Sequence, residues 1–490
     1  MSRSSRQISL PFIRIDRRGA RPVYEQLYEG MREAILNGRL QPNDRLPATR
    51  LIAEELGVSR NIVVIAFEQL LMEGYIRSRA GAGSFVEAVD AGFQSSRAAF
   101  GSQSLDSEMA DRLHRVVLHR NTLREDTVPF QTSQPAFDAF PFAVWSKLAA
   151  KIYRYLDFQH LGYEDAAGHL PLREAIADHL RVNRGVQCDA NRILIVNGTQ
   201  QALFLAAQLL LQPGDWFWID DPGYVNARST FLLHGGVACP IPVTAEGTDI
   251  DYACQHYPTA RLAYLTPSHQ HPAGGTLPLA QRLKLLTWAR DHRLWIIEDD
   301  YDSELRYRGK PIPALQGLDT HGNVIYIGTF SKVLFPALRV AYMVLPDDAS
   351  FQSFRSLKAL NDRQSALVDQ LILTDFIKEG YFHRHLRKMR SIYNARLQCL
   401  LEELETHLSS YLSFTDPAAG MHLAAYFKRP VDEDRLLQLA AKKGLILLSL
   451  REYTIGVCRR PGILLGYSSF SEDKIRQAVR TLKTVFKTIS

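Results

Sequence analysis

The chain has 490 residues, of which 46% are hydrophobic and 22% charged, and its formal net charge is +6. This composition is ordinary for a soluble protein, and the length allows two or three domains. No apolar run reaches the roughly 18 residues that cross a bilayer, and the N-terminus lacks the apolar core of a secretion signal, so we expect a cytoplasmic protein without membrane contact. The five scattered cysteines include no CxxC pair, which argues for reduced thiols rather than disulfides or zinc ligands.

Positive charge is concentrated at the start of the chain. Residues 1–86 hold 13 arginines, no lysine and 9 acidic residues, an excess of four positive charges. Such a segment points to an anionic partner such as nucleic acid, although a solvated basic surface has the same composition.

Three helices and a hairpin are predicted in this basic segment. The first helix, over 22–36, has apolar residues at helical spacing at Val23, Leu27, Met31 and Ile35, and it ends at residues 37–38. A second helix over 49–56 ends at Gly57, and Ser59 is the expected N-cap of a third helix over 60–73. The third helix is expected to bury Ile62, Ala66, Phe67, Leu70 and Leu71. Residues 74–86 then predict two short strands about a glycine turn.

This order of elements predicts a winged helix-turn-helix, whose recognition helix offers its first residues to base edges. The segment resembles the GntR family of regulators, whose signature motifs match at residues 46–50, 57–60 and 81–86. The resemblance implies double-stranded DNA as the partner, and it implies contacts with phosphates and bases by Arg50, Ser59, Arg60 and Asn61. It also implies that Gly81 and Gly83 let the wing approach the minor groove. The alternative is a three-helix module that binds another protein.

Residues 88–125 are rich in Ser, Ala, Gly and Gln and are typical of a linker without a core of its own, apart from a short helix near 109–119. We therefore expect a DNA-binding domain over 15–87, a linker over 88–125 and a larger domain over 126–490. A small C-terminal subdomain is expected from about residue 352.

The larger domain alternates strands and helices up to about residue 346, which predicts an α/β fold with a parallel sheet covered by helices on both faces. Residues 352–410 are largely helical. Residues 411–490 mix strands with a closing helix over 473–487, which predicts a small α+β subdomain over the site.

Three motifs follow predicted strands, at the sheet edge where ligands of open α/β folds bind. Residues 197–203 form a small-residue turn that opens a helix, an arrangement that suits a phosphate. Residues 220–224 place Tyr224 at the same edge. Residues 298–301 form an acidic cluster that can pair with a protonated pyridine nitrogen, bind a metal or cap a helix.

Lys332 follows a fourth buried-looking segment, residues 324–327. A lysine at a strand end can form an imine with an aldehyde when desolvation or a nearby cation lowers its pKa. Thr329, Ser331 and Arg339 supply groups that a phosphate needs nearby. A serine–lysine pair alone is more often part of a surface loop, so the prediction of a cofactor site depends on the order of all four motifs.

From about residue 129 onward, the chain resembles fold-type I aminotransferases, which use pyridoxal 5′-phosphate (PLP). The matching motifs are residues 197–201, 221–224, 266–274, 298–301 and 331–339. The resemblance implies that Lys332 is the Schiff-base lysine and that Asp299, rather than Asp300, pairs with the pyridine nitrogen. It implies that Tyr301 and His271 lie at the ring oxygen and that Tyr224 stacks on the ring. The phosphate is assigned to Gly198, Thr199, Gln200, Thr329, Ser331 and Arg339.

Together the two halves resemble the MocR-like subfamily of GntR regulators over nearly the whole chain. In that subfamily the aminotransferase-like domain binds PLP as an internal aldimine and senses PLP or an amine effector, and the proteins form head-to-tail dimers. This chain departs from aminotransferases at Leu464, where we expect the arginine that binds the substrate carboxylate, and at His271, where many have asparagine. The arginines that could substitute are Arg228, Arg451, Arg459 and Arg460. His269 and His271 have no third ligand in the sequence, so no metal site is expected.

Three functions are compatible with these motifs. The first is a PLP-dependent transcriptional regulator, the second an active aminotransferase with an accessory DNA-binding domain, and the third a PLP enzyme whose N-terminal helices bind another protein. The pair of Lys332 and Asp299 favours turnover, whereas Leu464 argues against it because a substrate carboxylate would lack its bidentate partner. We favour the regulator and expect no productive turnover.

Overall fold

The computed structural model of the chain describes residues 13, 15–17, 19, 21–79, 81–88, 107–116, 128–309 and 312–489. Contacts divide the chain into two compact units, Met1–Leu105 and Asp106–Ser490. The predicted linker over 88–125 lies outside the described residues except at residues 88 and 107–116. None of the helices within the described ranges is long and apolar enough to cross a membrane.

The first unit consists of three helices and a two-stranded hairpin. Its elements are α1 (Val23–Leu36), α2 (Thr49–Leu56), α3 (Arg60–Met72), β1 (Ile76–Arg79) and β2 (Gly83–Val86). The two strands pair antiparallel, with Ile76 opposite Val86. The observed order agrees with the predicted helix-turn-helix followed by a wing.

A stripe of apolar residues on each helix forms the core of this unit. On α3 the buried residues are Val63, Ala66, Phe67 and Leu70, at the i, i+3, i+4, i+7 spacing of one helix face. The prediction that Leu71 lies inside is wrong. Leu71 is exposed because it lies about 100° around the helix from Leu70. Ile62, which was also expected inside, is only partly buried.

The second unit is built on an eight-stranded sheet with the spatial order β3-β10-β9-β8-β7-β4-β5-β6. These strands are β3 (Ile193–Val196), β4 (Trp216–Asp221), β5 (Val237–Thr244), β6 (Gly247–Thr248), β7 (Leu262–Leu265), β8 (Trp295–Asp300), β9 (Val324–Thr329) and β10 (Ala341–Val344). The predicted parallel sheet is in fact mixed, because β10 is antiparallel to both β3 and β9. The connection from β9 to β10, residues 330–340, is shorter than the crossover of a dozen or more residues that parallel neighbours need.

Helices pack around this sheet. They are α4 (Glu108–Arg115), α5 (Phe142–Tyr155), α6 (Leu170–Arg184), α7 (Thr199–Leu210), α8 (Val225–Leu233), α9 (Ile250–His256), α10 (Leu279–His292), α11 (Asp348–Asn361), α12 (Leu367–Lys378) and α13 (Tyr381–Leu408). The helix α4, which belongs to the predicted linker, packs against α8. Every residue of β3 and β9 is buried, as expected for strands covered on both faces.

A smaller sheet follows α13 and agrees with the expected α+β subdomain. Its strands are β11 (Leu412–Phe414), β12 (His422–Phe427), β13 (Leu448–Ser449) and β14 (Gly462–Gly466), in the order β11-β12-β14-β13, together with α14 (Glu433–Lys442) and α15 (Glu472–Ile489). In the large sheet, β4, β7, β8 and β9 are mutually parallel, and β3 has the same direction as β9 because both oppose β10. The carboxyl ends of these five strands therefore lie at one edge.

Candidate functional site

Lys332 lies in the turn that follows β9, at this common edge of the sheet. Its ammonium nitrogen Nζ is 3.4 Å from the carbonyl oxygen of Ser133. Burial lowers the pKa of Lys332, while the carboxylates of Asp299 and Asp302 oppose that shift. A desolvated lysine has a larger neutral fraction, and the neutral amine is the form that attacks an aldehyde.

The two aspartates at the end of β8 have different partners. Asp299 Oδ2 accepts a hydrogen bond of 2.7 Å from the Tyr264 hydroxyl, whereas Asp299 Oδ1 is buried and has no hydrogen-bond partner among the described residues. Burial raises the pKa of Asp299 to about 7, and the Tyr264 hydrogen bond opposes this. Asp300 forms a buried ion pair of 2.8 Å with Arg184 and accepts from the Tyr326 hydroxyl at 2.6 Å. Successive residues of a strand point to opposite faces, so only Asp299 is left with an open acceptor.

The turn before α7 places Gly198 against Arg339. Gly198 has φ +119°, and a Cβ there would lie 2.7 Å from a guanidinium nitrogen of Arg339. Arg339 is exposed and forms no ion pair with any of the described carboxylates. Free backbone N–H groups at a helix start, a positive dipole end and an unpaired arginine together suit a phosphate. The Gln200 side chain instead donates to Thr230 at 2.6 Å, so its contribution to the turn is its backbone N–H.

The hydroxyl residues next to Lys332 shape the turn itself. Thr329 is buried at the end of β9, and its hydroxyl oxygen accepts a 3.2 Å hydrogen bond from the backbone N–H of Ser331. Ser331 is partly buried. Thr329 and Ser331, both predicted to bind the phosphate, therefore lie at the start of the turn that carries Lys332.

Aromatic rings surround His271. The rings of Tyr224, Tyr301, His422 and Tyr453 lie with centroids 5.4–5.6 Å from that of His271, all at steep angles. The Tyr224 ring also stacks at 6.2 Å and 28° on Tyr264, the tyrosine that binds Asp299. The predicted ring contacts Tyr224, His271 and Tyr301 thus lie in one cluster.

A buried histidine–aspartate pair holds Tyr301. His269 Nδ1 lies 2.8 Å from Asp302 Oδ2 and 3.0 Å from the Tyr301 hydroxyl oxygen. A carboxylate only accepts, so Nδ1 carries the hydrogen in its bond to Asp302, and the Tyr301 hydroxyl also hydrogen-bonds to the Asp302 carboxylate. Burial and then Asp302 raise the pKa of Tyr301 well above its ordinary value, which keeps the phenol protonated.

Sequence reasoning missed three residues of this site: Tyr264, Asp302 and Ser133. Tyr264 could have been found as a polar residue near the end of β7, the strand that precedes the motif at 266–274. Asp302 directly follows the acidic cluster and was not distinguished from it. Ser133 comes from the chain before α5 and carries no motif. The described residues contain no cluster of histidine, cysteine and acidic side chains suited to a metal.

Leu464 is fully buried on β14 in an apolar cluster with Val225, Ala424, Leu450 and Tyr453. The backbone of Tyr453 accepts a 3.0 Å hydrogen bond from Gly223, so this cluster joins the small sheet to the loop that carries Tyr224. Position 464, where aminotransferases would have the carboxylate-binding arginine, therefore belongs to an apolar contact between the small sheet and this loop.

The arginines considered as substitutes for that arginine have other surroundings. Arg451 pairs with Asp434 at 2.5 Å, and the Arg460 guanidinium lies 4.0 Å from the centroid of the Tyr426 ring. Arg459 is exposed. Arg228 is partly buried, which lowers its pKa, and the Asp221 carboxylate opposes that shift.

In the first unit, the four side chains predicted to contact DNA are exposed at the starts of α2 and α3: Arg50, Ser59, Arg60 and Asn61. Gly81 and Gly83 lie at the tip of the hairpin with φ +74° and +101°, conformations that favour glycine. Two further exposed arginines flank the hairpin. The backbone of Arg45 forms an antiparallel β-bridge with Phe85, and the Arg79 guanidinium lies 5.7 Å from the centroid of the Phe85 ring.

Two family descriptions match the chain. Residues 23–86 match "Bacterial regulatory proteins, gntR family", and residues 125–482 match "Aminotransferase class I and II". The probable rhizopine catabolism regulatory protein MocR of Rhizobium meliloti is 37% identical, over 96% of this chain and 95% of its own length. The chain belongs to the MocR-like family of GntR regulators. This confirms the family predicted from the sequence.

Other proteins similar to this MocR-like chain include regulators and aminotransferases. The pyridoxine biosynthesis transcriptional regulator PdxR of Corynebacterium glutamicum is 28% identical over 92% of this chain and 93% of its own. The structure of Pyrococcus horikoshii kynurenine aminotransferase, in complex with PMP, has a TM-score of 0.69 at 27% identity and covers 74% of this chain and 92% of that one. The α-aminoadipate aminotransferase LysN of Thermus thermophilus, complexed with a phosphopyridoxyl-leucine, has a TM-score of 0.69 at 26% identity and covers 78% and 95%.

These matches confirm the expected fold class, and the aminotransferase fold indicates PLP as the cofactor of this MocR-like regulator. They favour the regulator over an active aminotransferase, because the relatives that match nearly the whole chain are regulators. The geometry of the chain fits the cofactor. Asp299 offers a buried unpartnered oxygen, Lys332 is desolvated, and the Gly198 turn lies beside the unpaired Arg339.

Proposed function

We propose that this protein is a DNA-binding transcriptional regulator that holds PLP through Lys332 and senses PLP or an amine-bearing effector. The observation that carries the proposal is the open, buried oxygen of Asp299 near a desolvated Lys332, in a chain that also contains a GntR unit. Asp299 Oδ1 has no hydrogen-bond partner among the described residues, and Lys332 Nζ makes a long hydrogen bond of 3.4 Å to the Ser133 carbonyl.

Each predicted residue has a part in holding the cofactor. When bound, PLP supplies an aldehyde that combines with a primary amine and a ring that withdraws electrons. Lys332 provides that amine, and Asp299 Oδ1 accepts from the protonated ring nitrogen. Tyr301 would lie at the ring oxygen and Tyr224 and His271 against the ring. The phosphate would be held by Gly198, Thr199, Gln200, Thr329, Ser331 and Arg339.

The electrostatics of the site support this arrangement. A carboxylate whose pKa is raised to about 7 by burial becomes fully ionised when a cationic N–H faces it. A lysine whose pKa is lowered by burial gives up its proton more readily. Both shifts therefore prepare the groups for a cofactor that places a cation at Asp299 and takes a neutral amine at Lys332.

For DNA, we propose that α3 is the recognition helix and that the hairpin is the wing. Arg50 and Arg60 are the positive groups placed for phosphates, and Ser59 and Asn61 lie at the end of α3 that reaches base edges. Gly81 and Gly83 lack side chains, which would let the wing tip approach the minor groove. The corresponding domain boundaries, 15–87, 88–125 and 126–490, are part of this proposal, as is a cytoplasmic location.

We further propose that the protein acts as a head-to-tail homodimer. The observation that supports a second copy is a set of large apolar side chains on and after α5, each at least 65% exposed: Phe142, Tyr153, Tyr155, Phe158, Leu161 and Tyr163. The head-to-tail arrangement rests on the resemblance to the MocR-like subfamily. A soluble monomer rarely exposes so many large apolar side chains, and a second copy of the chain would cover them.

We propose that the effector binds at the same site as the cofactor, through its amine.

An active aminotransferase is the second candidate function, because Lys332 and Asp299 have the arrangement that turnover needs. The buried apolar position of Leu464 speaks against it, since an amino acid would lack a bidentate partner for its carboxylate.

The absorbance spectrum of the purified protein with PLP distinguishes these functions. A regulator shows the visible band of lysine-bound PLP, and amines shift that band without producing an oxo acid. Conversion of the cofactor to its amine form, with an oxo acid as product, would establish the enzyme instead. No band would mean that the Lys332 site does not bind PLP.

A further inference from the structure

A carboxylate directly after α11 hydrogen-bonds to the proposed phosphate-binding turn. Asp362, the residue that follows α11, accepts hydrogen bonds through Oδ2 from Asn197 Nδ2 at 2.6 Å and from Gln201 Nε2 at 2.8 Å. Asn197 and Gln201 flank the turn at Gly198 and Thr199. One carboxylate oxygen therefore binds both sides of the turn.

The other oxygen of Asp362 is paired with a buried lysine. Lys358 on α11 is completely buried, and its Nζ lies 2.8 Å from Asp362 Oδ1. Burial lowers the pKa of Lys358, and Asp362 opposes this shift. Because a buried ammonium needs a charged partner, this ion pair fixes the position of the Asp362 carboxylate.

Gln201 carries the constraint to the backbone of the turn. Its Oε1 accepts a 2.8 Å hydrogen bond from the backbone N–H of Asn197, and its Nε2 also donates to Asn361 at 2.9 Å. The next residue, Gly198, has the left-handed φ of +119° beside Arg339. The direction of the free N–H groups at residues 198–200 thus depends on contacts made by Asp362.

The remaining parts of the site do not depend on Asp362. Asp299 is fixed by Tyr264 on β7, and Lys332 contacts Ser133. Of the described residues, those that hydrogen-bond to the Asp362 carboxylate lie only on the turn and on α11. The contacts of Asp362 are therefore specific to the part of the site assigned to the phosphate.

We propose that Asp362 is a positioning residue for the phosphate-binding turn and that it determines the preference of the site for phosphorylated over unphosphorylated pyridoxal. The inference rests on the proposed function, since it needs PLP at Lys332. It adds the residue directly after α11, which no motif indicates.

The test is the substitution Asp362→Asn, with affinities for PLP and for pyridoxal measured by absorbance titration. An amide keeps the shape but is neutral, and its NH₂ group would face either Lys358 or the two donors of the turn, so the turn loses its charged acceptor. We expect the Kd for PLP to rise about ten- to hundredfold, as the loss of hydrogen bonds to a charged group implies, while the Kd for pyridoxal changes less than about threefold. Inorganic phosphate should also compete less well with PLP in the variant.

The matched control is Asp348→Asn, which neutralises an exposed carboxylate at the other end of the same helix and should leave both affinities unchanged. Asn197→Ser is a milder variant that keeps the Lys358–Asp362 pair and replaces Asp362→Asn in the test if that variant fails to fold. It should reduce the affinity for PLP more than the affinity for pyridoxal. Equal loss of PLP and pyridoxal binding, or no loss of either, would overturn the role of Asp362. Failure of the wild-type protein to bind either compound would overturn the proposed cofactor site and the inference with it.

Discussion

The Tyr264 hydroxyl donates to Asp299 Oδ2 at 2.7 Å and leaves Asp299 Oδ1 without a hydrogen-bond partner among the described residues. Tyr264 therefore orients the carboxylate so that one oxygen faces the proposed ring nitrogen. The tyrosine also stacks against Tyr224, so one residue on β7 supports both the electrostatic partner and the aromatic contact of the cofactor.

Asp299→Asn should change how the stability of the cofactor-free protein depends on pH. The pKa of Asp299 is raised from 3.8 to about 7, so the buried carboxyl favours folding below its unfolded pKa and that advantage is lost as the pH rises through 7. The amide of the variant does not titrate, so the variant does not lose stability in this way as the pH rises. Relative to wild type, its free energy of unfolding should therefore rise by about 3 kcal/mol between pH 5 and pH 8. Denaturant unfolding at both pH values measures this, and parallel curves for the two proteins would contradict it.

Gly198→Ala should weaken PLP binding and reduce stability. The new methyl group would lie 2.7 Å from the Arg339 guanidinium, and the φ of +119° is strained for any residue with a Cβ. We expect a cost of about 1–3 kcal/mol in unfolding free energy together with a higher Kd for PLP. Gly456→Ala is the control, since a Cβ there meets nothing within 4 Å. Equal behaviour of the two variants would show that the turn does not constrain the site.

Arg50→Ala and Arg60→Ala should each weaken DNA binding and reduce its salt dependence. Every phosphate contact that is removed lowers the slope of log Kd against log salt by about 0.9. Fluorescence anisotropy with duplex DNA over a salt series measures the slope. Arg21→Ala is the control, because Arg21 is already paired with Glu29 at 2.7 Å. Unchanged slopes in both variants would argue that α2 and α3 do not face the DNA.

Leu464→Arg should destabilise the protein rather than create an amino-acid site. The side chain at this position is fully buried among apolar residues, and an uncompensated buried charge costs about 3–5 kcal/mol. Leu464→Met keeps the volume and should cost less than about 1.5 kcal/mol. Thermal unfolding compares the variants. A stable Leu464→Arg protein that transaminates amino acids would contradict this account of the subdomain contact.

The sequence predicted most of the local structure because local patterns control it. Helix α2 begins and ends where its residues and Gly57 predicted, and the four strand-end motifs lie at one edge as expected. The errors have two different causes. The direction of β10 depends on the short connection at residues 330–340, which strand and helix patterns do not reveal, and Leu71 differs from the buried Leu70 only by its angle around the helix.

The parts of the site that could not be predicted are contacts between distant segments. Asp362 lies 165 residues from Asn197, and Tyr264 lies 35 residues from Asp299. Neither contact follows from spacing, because it depends on how α11 and β7 pack against the sheet. The predicted roles of Lys332 and of the DNA-contacting residues remain predictions that the experiments above address.

Borohydride reduction of the PLP-loaded protein, followed by peptide mass spectrometry, tests the central claim most directly. Reduction makes the bond between the lysine and the cofactor permanent. The account predicts the added mass on the peptide that contains Lys332, and its loss in Lys332→Ala. Added mass on another lysine, or none in the wild-type protein, would contradict the assignment of Lys332 and the sensing role that depends on it.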